Sequence, residues 1–184
     1  MPMKKKNAKM DAISMLKNDH RKVEALFEAY EKGKGDRKAK IAKEICQELI
    51  VHSTIEEELF YPALEGKIEE EDMLDEAHVE HDGAKVLIAE LLDGTPEDEF
   101  YDAKVKVLSE QIKHHVREEE KRGEGIFAQA AKTDVDMEEL GDRMLGRKMD
   151  LLQEIKAKGL PRPITRAMHG AKLVQGERVS LAAE

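Results

Sequence analysis

The chain has 184 residues, 39% of them charged and only 4% aromatic, with no tryptophan and a formal net charge of −9. That balance excludes a general nucleic-acid binder, which needs a basic stripe to displace counterions, and no apolar run approaches the length of a membrane span. Length gives room for one domain with a modest core, and a composition dominated by Ala, Leu, Glu and Lys favours a helical bundle with charged outer faces.

Cys46 is the only cysteine, so no intramolecular disulfide forms, which fits a reducing compartment. The opening Met-Pro-Met-Lys-Lys-Lys resembles the basic start of a signal peptide, but no apolar segment follows it. A soluble, acidic, cytoplasmic, all-α protein is expected.

Residues 1–10 are basic and aperiodic and read as a flexible arm. A first helix is expected over about 11–32, started by Asp11 or Ser14 and ended by Gly33-Lys34-Gly35. Its apolar stripe is Ile13, Leu16, Val23, Phe27 and Tyr30, and His20 falls on it. The second helix, about 36–65, carries Ile41, Ile45, Leu49, Leu59 and Ala63, with a kink or stop expected at Tyr61-Pro62. The third runs from about 69 to 93 and is closed by Asp93-Gly94-Thr95-Pro96. The fourth begins near 96–98 and continues to roughly 130, its last turns weakened by Gly123 and Gly125. Thr133-Asp134 can cap a fifth helix over about 134–158, stopped by Gly159-Leu160-Pro161. The domain reading is a bundle over 11–130, a fifth helix within 131–160 and an irregular tail over 161–184.

The most informative stretch is His52-Ser53-Thr54-Ile55-Glu56. A histidine and a carboxylate four residues apart share one helical face, and Leu49 and Leu59 continue that face toward a core. Burying both groups costs several kcal/mol unless something satisfies them, and a metal ion would, since imidazole and carboxylate are ordinary ligands of iron, zinc and manganese. The fourth helix repeats the arrangement as His115 and Glu119, on the stripe Tyr101, Val105, Leu108, Ile112. On the third helix, Ala77, His81, Ala84, Ile88 and Leu91 form the inward stripe. His78 lies off it, toward solvent or a helix boundary, and His114 lines up with Glu110, Glu118 and Lys121. His169 falls in the tail.

Four helices thus offer His20, His52, His81 and His115, and two add Glu56 and Glu119. Four imidazoles and two bridging carboxylates can hold two metal ions, a set that suits iron or manganese in a bundle core. A single inward histidine has the ordinary reading of a satisfied core residue; four, two of them with a glutamate at i+4, point to metal. Glu57, Glu58, Glu118 and Glu120 read as solvated charges or as hydrogen-bond acceptors behind the ligands. Tyr30 and Tyr61 could lie near a cluster but read first as core or interface packing, and Cys46 reads as a small buried apolar residue.

The order Asp19-His20, His52-x-x-x-Glu56-Glu57 with Phe60-Tyr61-Pro62, Glu80-His81, and His114-His115-Val116-x-Glu118-Glu119-Glu120 resembles the hemerythrin-like proteins with HHE cation-binding domains, over about residues 11–130. The resemblance implies an up-down-up-down four-helix bundle, here with an additional C-terminal helix and an extended tail. It also implies two non-haem iron ions, an Fe–O–Fe or Fe–OH–Fe centre, with Mn or Zn as lesser alternatives. Oxygen-carrying members have two histidines four apart on the third helix, whereas Ala77 stands four before His81. One terminal ligand is therefore expected to be missing, or replaced by water, hydroxide or a carboxylate such as Glu24. Many relatives also end the fourth helix with a Phe-Pro step, where this chain reads Gly123-Glu124-Gly125-Ile126-Phe127-Ala128. Ferritin-like diiron proteins use Glu-x-x-His, the reverse order at a different spacing.

Three functions follow as expectations. One is a diiron protein that binds or senses dioxygen, peroxide or nitric oxide, with at most weak peroxide-decomposing or oxidase-like activity. The second is an iron store or sensor. The third is a structural, partner-binding bundle holding zinc or nothing. No nucleic acid or membrane partner is expected, and the chain is read as a monomer or homodimer. Met137, Leu140, Met144, Leu145, Met149 and Leu152 form the strip expected to pack the fifth helix across the bundle.

Overall fold

A computed structural model describes residues 10–168; the arm over 1–9 and the tail from 169, His169 included, lie outside the described residues. Asp11 starts the first helix by accepting the Ser14 amide at 2.9 Å, satisfying one of the amides left free at a helix N-terminus. Helix α1 runs Ala12–Glu31, α2 Asp36–Ile55, α3 Tyr61–Leu64, α4 Asp72–Asp93, α5 Tyr101–Glu119, α6 Ile126–Ala130 and α7 Met137–Lys158; the described residues contain no strand. In the four-helix bundle α1 and α4 each neighbour α2 and α5, and α7 lies across α1 and α2.

At the Tyr61-Pro62 step, where a kink or stop is expected, the helix is interrupted by a wide π turn, Glu56–Phe60, and then continues as α3. Proline lacks an amide hydrogen, and its ring collides with the carbonyl four residues back. The widened turn relieves that conflict, and the Tyr61 amide bonds the Glu56 carbonyl five residues back.

The fourth bundle helix begins at Tyr101 rather than 96–98. The Asp98 carboxylate accepts the Thr95 amide at 2.7 Å and holds residues 95–100 in turns. It ends at Glu119, not near 130. Gly123 adopts φ +84°, and a Cβ on Gly125 would stand 2.4 Å from the Glu118 carbonyl oxygen, so both positions need glycine. The cap of the fifth helix is Asp136, which accepts the Glu138 and Glu139 amides, rather than Thr133-Asp134.

Helix α7 buries Leu140, Gly141 and Met144, while Leu145 and Met149 of the expected strip are exposed. Steps of four and seven from Leu140 reach Met144 and Arg147, so the inward face turns toward Arg147, Lys148 and Leu151 instead. Gly141 lets α7 approach the start of α1: a Cβ there would lie 2.6 Å from the Met10 carbonyl oxygen.

Two apolar clusters fill the bundle. One gathers Leu16, Ile55, Phe60, Leu64, Phe127 and Met144; the other gathers Val23, Phe27, Ile45, Leu49, Ile88 and Leu108. Along α1 His20 falls between Leu16 and Val23, and along α2 His52 falls between Leu49 and Ile55, so a polar layer separates the clusters. No described helix is long and apolar enough to cross a membrane.

Candidate metal centre

The six residues singled out in the sequence meet in that layer, all of them buried. The histidines form two pairs, with Nε2 of His20 3.0 Å from Nε2 of His52, and Nε2 of His81 3.1 Å from Nε2 of His115. Each glutamate reaches across both pairs through one oxygen. Glu56 Oε2 lies 3.2 Å from His52 and 3.4 Å from His81. Glu119 Oε2 lies 3.3 Å from His20 and 3.5 Å from His115. The donor atoms of His20, His52, Glu56 and Glu119 all fall within 4.8 Å of one another, as do those of Glu56, His81 and His115.

Behind the donors a second ring closes around the bundle. The residue adjacent to a histidine or glutamate on one helix serves the histidine of the next. Glu57 faces His81 Nδ1 at 3.0 Å, Glu80 faces His115 Nδ1 at 2.7 Å, and Glu120 faces His20 Nδ1 at 2.8 Å. Asp19 completes the circuit toward His52 Nδ1, at 3.7 Å. A carboxylate on Nδ1 holds the proton there and turns the Nε2 lone pair toward the centre, the tautomer a metal needs. Each carboxylate also meets a basic side chain: Lys85 on Glu57 at 2.7 Å, Lys148 on Asp19 at 2.5 Å, Arg21 on Glu120, and His114 near Glu80 at 3.3 Å. Asp19 is drawn toward Lys148 and makes no hydrogen bond to His52.

The fit of the donor set to a metal is tested by the polar atoms left over. Both oxygens of Glu56 and Oε2 of Glu119 are buried without a hydrogen-bond partner. Unsatisfied buried carboxylate oxygens are expensive, and here they point at converging imidazole nitrogens. Cations satisfy such a set.

The protonation pattern agrees. Burial works against a charged imidazole, but the carboxylates outweigh it: Glu119 and Glu120 push the His20 pKa up to about 9, and Glu56 and Glu57 do the same for His81. Glu119 is held below the ordinary carboxylate range because the imidazoles of His115 and His20 offset its burial. Protons are the small cations a metal would replace.

Of the two tyrosines that could stand near a cluster, Tyr61 is the one that reaches the layer. It is fully buried, donates its hydroxyl to Glu119 Oε1 at 2.9 Å, and stacks on the His81 ring. On an uninterrupted α-helix it would sit about 140° around from Glu56; the π turn brings it beneath that residue. Tyr30 stays outside the layer and donates to Asp102. Glu24, one of several expected substitutes for the missing terminal ligand, is exposed and pairs with Arg21 as an ordinary boundary charge. Ala77 is buried in the apolar cluster that Tyr61 joins. His78 is half-buried with its ring edge against Tyr61, and His114 is exposed.

A cavity of about 20 Å³ adjoins the four imidazoles, lined by aliphatic side chains such as Val23, Leu49 and Ile88 together with Asp19, Ser53 and Lys85.

Comparison with known proteins matches residues 11–122 to the hemerythrin HHE cation binding domain. A similar solved structure is that of a hemerythrin HHE cation binding domain-containing protein from Mycobacterium kansasii. It is 25% identical, with a TM-score of 0.68 over 82% of this chain and 94% of that one. No significant match was found among curated proteins. The bundle, the paired His/Glu layer able to hold metal and the matched span agree, and the chain belongs to the hemerythrin HHE cation binding domain family.

Proposed function

We propose that this chain is a non-haem diiron protein that binds or senses small oxidants: dioxygen, peroxide or nitric oxide. His20, His52, His81 and His115 would hold the two ions, with Glu56 and Glu119 bridging them. The observation that carries this reading is the double bridge, in which one oxygen of each glutamate stands within 3.5 Å of an imidazole nitrogen from both pairs. Two histidine pairs spanned by two carboxylates make a binuclear set of mixed nitrogen and oxygen donors, suited to iron.

The chamber beside the imidazoles supports the choice of ligand. At about 20 Å³ it holds one water-sized molecule, a size that suits dioxygen, peroxide or nitric oxide. Carboxylates on Nδ1 of His20, His81 and His115 keep those imidazoles oriented, and apolar clusters flank the layer on both sides. Iron bound there would supply the one-electron redox chemistry that these side chains lack.

A zinc-holding structural bundle is the competing reading. Structural zinc is enclosed by four ligands, whereas this layer offers six donors and a cavity at their side. Anaerobic loading with Fe(II) followed by exposure to oxygen tests the proposal. Iron–ligand charge-transfer absorption should develop in the near ultraviolet and visible. A spectrum unchanged by oxygen, from a chain with its metal in place, would refute it.

A further inference from the structure

Asp82 belongs to none of the groups above, yet it is completely buried. It lies on α4 one residue after His81. Its Oδ2 accepts three consecutive backbone amides from the C-terminal segment: Arg166 at 2.8 Å, Ala167 at 2.6 Å and Met168 at 2.9 Å.

From this grip an unbroken chain of polar contacts runs inward. Asp82 Oδ1 lies 3.4 Å from the Lys85 ammonium, which bonds both oxygens of Glu57 at 2.7 and 2.9 Å. Glu57 faces His81 Nδ1 at 3.0 Å. Residues 166–168 lie beyond the span matched by the family, but stand three side chains from a candidate ligand. They also belong to a segment that walls a cavity of about 370 Å³, which shares Ser53 and Lys85 with the small chamber beside the histidines.

We propose that residues 166–168 form a clasp on Asp82, and that Asp82 and Lys85 are positioning residues through which clasp closure and metal occupancy at His81 favour one another. The proposal rests on the metal-binding reading above. A metal on Nε2 needs the His81 ring fixed by Glu57. Glu57 is fixed by Lys85, and Lys85 is held at its other side by the carboxylate that grips the clasp. Coupling of this kind is reciprocal: whatever closure contributes to metal retention, metal contributes to closure.

Amide hydrogen exchange on the full chain tests it, comparing chelator-treated protein with protein loaded with Co(II). The amides of Arg166, Ala167 and Met168 should exchange at least about fivefold more slowly in the loaded protein, the low end of ordinary couplings. Asp82→Ala should make them fast in both states and speed Co(II) loss to a chelator by a similar factor. Lys85→Met, which leaves the three amide contacts in place, should retain protection but lose its dependence on metal. Equal exchange at the three amides in loaded and chelated wild type would overturn the proposal, even if Asp82→Ala fails to fold. A chain that takes up no Co(II) overturns the metal reading and this one together, and the metal count separates that failure from a loaded chain with an indifferent clasp.

Discussion

Replacing Glu56 by leucine puts the cost of the site on a measurable scale. Glu56 is fully buried, and both its oxygens lack hydrogen-bond partners. In metal-free protein its Oε2 lies 3.2 Å from His52 and 3.4 Å from His81, and with Glu57 it raises the His81 pKa to about 9. Leucine has similar bulk, and the neighbouring clusters are aliphatic and aromatic. The buried imidazoles nevertheless lose a carboxylate: His81 keeps Glu57 and His115, and His52 keeps His20. Removing one partner of a buried charged pair costs about 3–5 kcal/mol. For a chain of this size each kcal/mol moves the thermal midpoint by about 2–4 °C. Glu56→Leu should therefore lower the midpoint of chelator-treated protein by roughly 6–20 °C, and should also remove most of the stabilisation that metal confers on wild type. Calorimetry with and without metal reads both effects. A metal-free variant as stable as metal-free wild type would refute the reasoning, because the carboxylate would then contribute nothing to the fold by itself.

Tyr61→Phe removes one hydrogen bond to a charged, buried acceptor without leaving a large cavity, and should cost about 1.5–3 kcal/mol in denaturant unfolding; a change below about 0.5 kcal/mol would show that the phenol is not engaged. Gly141→Ala forces a methyl against the Met10 carbonyl and should destabilise by about 1–3 kcal/mol, read as a lower thermal midpoint. Metal-free protein should also lose stability toward alkaline pH. His20 and His81 carry raised pKa values, so their contribution is complete below pH 6.5 and is lost as pH rises through about 9. Glu119 is lowered, so its contribution is present above pH 4.5 and is lost on acidification. The metal-free optimum should lie between those limits, with a fall of a few kcal/mol by pH 9; a flat profile from 6.5 to 9 in denaturant titrations would contradict these assignments.

The six candidate ligands were legible because each obeys the period of a regular helix. His52 and Glu56, and likewise His115 and Glu119, stack at i and i+4 on a stripe of apolar residues. The supporting carboxylates were visible only as acidic neighbours of those residues. That Glu120 serves His20, and Glu80 serves His115, depends on the register between helices, which no single helix encodes. The contact of Tyr61 with the layer has another origin: the π turn shifts the phase of the chain just where a regular 3.6-residue period would carry the ring away from Glu56. Asp82 lies one position from the inward His81, and its partners are backbone amides more than 80 residues away, a contact with no side-chain signature. The inward face of α7 is not legible from its apolar residues: Leu145 and Met149 suggest a broad apolar strip, whereas Arg147 and Lys148 dock by ion pairs with Glu58 and Asp19.

The central claim is a pair of iron ions between the two glutamates, and a metal count on protein purified without oxygen tests it most directly. Wild type should carry about two irons per chain, and His52→Ala and His115→Ala should each lower that number while the helical content stays the same. Zinc in place of iron, or a folded chain with no metal, would contradict the account and leave a structural bundle.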